Sequence, residues 1–117
     1  MTTAISNPTD NTAPLERPVS LDTYRLLGRS GLRVSPLALG TMTFGTEWGW
    51  GAGREEARRM FDTYADRGGN FIDSANKYTE GSAERLVGEF AAGRRDRLVI
   101  ATNYTMPTRE GDPEFGR

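Results

Sequence analysis

The chain contains no cysteine and no histidine. Without thiols there is neither a disulfide nor a thiolate metal site. Without imidazole, a metal would rest on carboxylates alone, and no Asp/Glu spacing clusters to hold one. Any histidine acid–base would have to come from another chain. Lysine occurs once, as Lys77, and the other basic side chains are arginines. No run approaches the roughly 18 apolar residues of a membrane span. The first residues, Met1 to Asn11, have neither a basic start nor an apolar stretch, so no secretory leader is expected and a cytoplasmic location fits. The net charge of −1, with no basic block, argues against nucleic acid or an anionic membrane as partner. Hydrophobic residues at 36% and charged residues at 26% of 117 leave room for one small globular unit.

Residues 1–23 are rich in Thr, Asn and Pro without period, and are expected to form a flexible tail ahead of a domain over 24–117. Tyr24–Leu27 and Leu32–Val34 flank Gly28-Arg29-Ser30-Gly31, which predicts a β-hairpin. Leu37-Ala38-Leu39-Gly40 is wholly apolar, as for a strand buried on both faces. A glycine-rich loop to Gly53 follows, holding Trp48 and Trp50. From Arg54 the period becomes helical. Ala57, Met60, Phe61 and Tyr64 share a face, Glu55 and Glu56 suit the first turn, and Gly68-Gly69 supplies the stop. Asn70–Asp73 is short enough for a strand. Ala83, Leu86, Val87 and Phe90 mark a second helix ending near Gly93, and Arg97–Thr102 is the clearest strand. Met106–Arg117 reads as loop. The alternation of strand and helix implies parallel strands with helical crossovers, in a barrel or a doubly wound sheet. Gly49-Trp50-Gly51-Ala52-Gly53 lacks the G-x-G-x-x-G spacing that a doubly wound nucleotide-binding domain would need.

In such folds chemistry gathers where strands end. Asp73 closes the second parallel strand, Tyr78 lies in the loop after it, Asn103 follows the third, and Gly40-Thr41-Met42 leaves the first. Taken alone, Asp73 reads equally as a cap for nearby backbone N–H groups, Tyr78 as a half-buried loop aromatic, and Glu80 and Glu84 as solvated charges. Asn103-Tyr104-Thr105 spells a glycosylation acceptor, an accidental match without a secretory leader.

Three blocks in order resemble the aldo-keto reductase family: Leu32 to Gly45, Gly69 to Tyr78 with Gly81 to Gly88, and Arg94 to Thr102. The similarity runs from about Tyr24 to Asp112. It implies an α/β fold, here the N-terminal portion of a (β/α)8 TIM barrel: a hairpin, three strands and two helices. It further implies NADPH as cofactor (less often NADH), a small carbonyl substrate, and hydride transfer that converts an aldehyde or ketone to an alcohol. By resemblance Tyr78 is the proton donor and Asp73 its supporting carboxylate. Gly40, Thr41 and Met42, with Asp73, lie toward the nicotinamide, and Trp48 or Trp50 toward the substrate.

The match departs at Asn103, which stands where the family carries a lysine. A free tyrosine titrates near 10, and an ammonium beside a phenol stabilises the phenolate, an effect that a neutral amide does not supply. Length is the second departure, since a complete barrel needs roughly 200 residues. The chain is therefore expected to be truncated and inactive alone. The alternative is a non-catalytic, degenerate relative or fragment that binds another chain.

Overall fold

A computed structural model describes residues 18–107 and 109–111. The hairpin forms as the sequence predicts. Strands β1 (Arg25–Leu26) and β2 (Arg33–Val34) pair antiparallel, Arg25 opposite Val34. Its turn closes through the Leu27 N–H on the Leu32 carbonyl at 2.9 Å, with Gly28 at φ 58°. Of the expected tail, residues 1–17 lie outside the described residues. Residues 18–23 include a turn, in which Thr23 N–H donates to the Ser20 carbonyl, and Leu21 packs against the core. The expected C-terminal loop is described only through residue 111, apart from residue 108.

Beyond the hairpin run β3 (Leu39–Gly40), α1 (Arg54–Asp66), β4 (Phe71–Asp73), α2 (Ser82–Ala91) and β5 (Val99–Ala101). Strands β3, β4 and β5 lie side by side in that order, all parallel. Register explains the core. Leu39 pairs with Ile72, and Ile72 with Ile100, so these three project from the same face. Ile72 is fully buried there, under Phe61 and Tyr64 of α1 and Val87 and Phe90 of α2. Phe90 meets Phe61 and Phe44 edge to face, at centroid distances of 5.7 and 6.2 Å. Burial of each large side chain in this layer contributes about 1.5–3 kcal/mol. Helix α1 stops as its glycines require. Gly68 turns left-handed at φ 93°, and the Gly69 N–H reaches back to the Tyr64 carbonyl at 2.9 Å.

Two expectations change. Leu37–Gly40 is not buried on both faces: Leu37 is 69% exposed, Leu39 is half-buried and Gly40 is exposed. The reason is that β3 is an edge strand, covered by helices on one side only. Met60, expected on the buried face of α1, lies at its margin and is exposed. With Leu21, Leu39 and Tyr64 it lines an open groove of about 550 Å³. Among the described residues no helix is long and apolar enough to cross a membrane.

Tyr64 fastens the base of the sheet. Its hydroxyl lies 2.7 Å from the Leu37 carbonyl and 2.9 Å from the Phe71 carbonyl, and accepts the Phe71 N–H at 3.1 Å. Gly69 has no side chain because a Cβ there would fall 2.4 Å from the Tyr64 ring. Replacing Tyr64 with Phe removes the bridge and leaves these backbone groups short of a partner. The expected cost is about 1–3 kcal/mol, read as a lower urea midpoint with an unchanged slope.

Candidate active site

The face of the sheet opposite the helices carries Asp73. Gly40 pairs with Asp73, and Asp73 with Ala101, so these three form the last row at the C-terminal edge. Alternation then carries Thr102 to the helix side, where its hydroxyl donates to Glu84 of α2 at 2.6 Å. Asn103 returns toward the row of Asp73. There its side-chain amide donates to the Ser74 carbonyl at 3.1 Å. Asp73 is half-buried and Asn103 exposed. Tyr78 begins a short turn, Tyr78–Gly81, and is half-buried with its ring packed against the core.

Thr41 follows Gly40 directly at the end of β3. It is fully buried, and both its N–H and its hydroxyl donate to the Asp73 carbonyl, each at 3.0 Å. Thr41 thus fixes the backbone from which the Asp73 carboxylate projects. Met42, by contrast, is 46% exposed at the same edge. Gly40 opens onto free space, with no atom within 4 Å of where a Cβ would stand.

The edge gathers Gly40, Asp73 and Asn103, but among the described residues no hydrogen bond joins the side chains of Asp73, Tyr78 and Asn103 to one another. The described cavities also lie elsewhere. One sits beneath the hairpin among Tyr24, Asn70 and Leu98, and the apolar groove runs beside α1. Geometry outweighs cavity size here, because three strands offer a floor without an opposing wall.

The Lys77 ammonium is held by Glu80. Its Nζ lies 3.2 Å from Glu80 Oε2, while Trp48 Nε1 donates to Glu80 Oε1 at 3.0 Å. Glu80 is therefore more than a solvated charge. It ties the loop after β3 to the turn that holds Tyr78. The Trp48 hydrogen bond, then Lys77, holds its carboxyl below the ordinary glutamate value of 4.5. Glu47 is held low in the same way, first by the Ser82 hydroxyl and then by its own backbone N–H. Trp48 and Trp50 stand 5.9 Å apart, and Trp50 is exposed.

Two residues escaped the sequence reading. Asn76 clasps the segment after β5: its N–H donates to the Asn103 carbonyl at 2.9 Å and its amide to the Met106 carbonyl at 2.9 Å. Thr79 occupies a left-handed conformation, φ 48°. Neither sits in a periodic pattern, so no signal marks them in the sequence.

The sequence profile of the Aldo/keto reductase family matches residues 36–115. A norsolorinic acid reductase from Aspergillus flavus is 50% identical over 101 residues, covering 81% of this chain and 26% of that protein. An aryl-alcohol dehydrogenase from Pestalotiopsis microspora is 46% identical over 99 residues, covering 80% and 26% respectively. Among solved structures, the holo form of an aldo-keto reductase from Bacillus halodurans superposes with a TM-score of 0.66 at 34% identity, covering 77% of this chain and 28% of that one. The chain thus spans about a quarter of these relatives' length.

Two outcomes test the geometry. Asn76→Ala removes the amide donor to Met106, and is expected to speed amide hydrogen exchange across 103–107 while leaving β4 protected. For Glu80, a lowered folded-state value means that its contribution is present above pH 4.5 and is lost as pH falls through that lowered value. Tryptophan fluorescence is expected to hold steady down to that range and then change, and Glu80→Ala to shift the neutral-pH signal toward the acid form.

Proposed function

The chain belongs to the aldo/keto reductase family, and on that premise we propose that its C-terminal sheet edge is the carbonyl-reducing end of an NADPH-dependent reductase. The observation that carries this reading is the register row Gly40–Asp73–Ala101, with Tyr78 five residues beyond Asp73. In parallel βα folds this is the edge where reactants bind.

The residues present fit the nicotinamide end of NADPH. Gly40 leaves room for a flat ring, Met42 offers an exposed apolar surface, and Asp73 supplies a carboxylate beside them; Thr41 acts from beneath by holding Asp73. When bound, NADPH supplies the hydride taken up by the carbonyl carbon. The Tyr78 phenol gives its proton to the carbonyl oxygen, which completes the alcohol, and Asp73 supplies a carboxylate at the same edge. Asn103, at the family's lysine position, contributes a hydrogen-bond donor and no charge. The substrate is a small aldehyde or ketone. The name of one relative, an aryl-alcohol dehydrogenase, supports an aromatic one. A cytoplasmic location belongs to the same reading.

One observation favours a second reading, in which this chain is catalytically silent alone and acts as a fragment that joins another. Phe71, Val99 and Ala101, on the face opposite the helices, stay half-buried, where a closed barrel packs its interior in layers. The Asn103 amide is moreover already engaged by Ser74.

Titration of the isolated chain with NADPH is expected to give no saturable change in cofactor fluorescence; tight binding would contradict the incomplete-site reading. Joined to the remaining strands of a related reductase, the chain is expected to oxidise NADPH with carbonyl substrate roughly 10²-fold faster after Asn103→Lys. Equal rates would remove Asn103 from the site.

A further inference from the structure

The turn after β4 carries a backbone conformation that its residues resist. Thr79 (φ 48°, ψ 43°) and Glu80 (φ 57°, ψ 34°) are the two non-glycine residues at positive φ among those described. A β-branched residue in this region is a genuine outlier, and it persists only where its surroundings over-determine it. Here they do. The Thr79 side chain is 1% exposed, and its hydroxyl donates to the Phe44 carbonyl at 2.7 Å and accepts the Ala83 N–H at 3.1 Å. One oxygen thereby joins the loop after β3, the turn and the first residues of α2. Gly45 completes the seat: a Cβ there would lie 2.8 Å from Thr79 Oγ1.

Helix capping alone does not account for this arrangement. A capping threonine ordinarily takes an extended backbone, so the left-handed step answers a further need. That step immediately follows Tyr78, whose own N–H is anchored on the Ala75 carbonyl at 3.2 Å. It turns the chain into α2 directly after Tyr78 and leaves that residue beside the exit of β4. We propose that Thr79 is a positioning residue for Tyr78: its buried hydroxyl locks the left-handed step that fixes the direction of the phenol. The inference rests on the reading of Tyr78 as proton donor, and deepens it.

The test uses the 117-residue chain grown with fluorotyrosine and read by fluorine NMR. Four tyrosines give four signals, with Tyr78 assigned by Tyr78→Phe. Thr79→Val keeps the shape and removes the hydroxyl, and is expected to displace or split the Tyr78 signal while those of Tyr24, Tyr64 and Tyr104 stay in place. Thr79→Ser, which restores the hydroxyl, is expected to return it to the wild-type position. Should the valine variant unfold, Thr79→Ala serves instead, since alanine lacks the hydroxyl and, unlike glycine, does not take the left-handed step freely; the same displacement is expected. An unmoved Tyr78 signal in either folded variant overturns the proposal. So does joint collapse of all four signals in both, which would make Thr79 a residue of the fold alone. Failure of the donor reading is seen separately, as undiminished carbonyl reduction by Tyr78→Phe in the completed barrel, and leaves the NMR result intact.

Discussion

Burial of one row of side chains, Leu39, Ile72 and Ile100, against two helices determines the rest of this molecule. Strand side chains alternate, so directing those three toward Phe61 and Phe90 directs Gly40, Asp73 and Ala101 the opposite way. The carboxylate is not drawn to its place by a partner. It is there because its neighbour in sequence is the most deeply buried residue of the strand. Moving the register by one residue would bury Asp73 under aromatic rings and expose Ile72, at the combined cost of an unpaired buried charge and a lost apolar contact. The hydrophobic layer thus specifies the polar edge, and the two cannot vary independently.

That coupling explains what could be read from the chain before its coordinates. The helical faces of α1 and α2 were legible because Ala57, Phe61 and Tyr64, and Ala83, Val87 and Phe90, recur at helical spacing. The hairpin was legible from glycine and serine between two extended runs. The strands came out shorter than their apolar runs suggested, since Leu37 and Ala38 lie on an edge with one face uncovered. At the site, the positions of Asp73 and Asn103 followed from strand ends, whereas a role for Asp73, Tyr78 or Asn103 came only through resemblance to a family.

The polar ties were not legible. Trp48 and Glu80 are 32 positions apart, and Asn76 and Met106 are 30 apart. Such pairs are created by the fold and have no local pattern. The left-handed threonine is hidden for a related reason: residue preference argues against the conformation, and only the hydrogen bonds around it show why it is tolerated. Thr41 adds a tie of the same kind, its hydroxyl reaching the Asp73 carbonyl 32 positions away. Asn103 is a further case, marked in the sequence by its place after a strand and in the structure by its clasp on Ser74.

The order of the sheet has one more consequence. Neighbours in space are neighbours along the chain: β1 meets β2, β3 meets β4, β4 meets β5, and α1 meets α2. Within each sheet every later strand therefore adds to the one made just before it: β2 to β1, β4 to β3 and β5 to β4. A sheet ordered in this way can grow from one end, each βα unit docking on the last as it emerges from the ribosome.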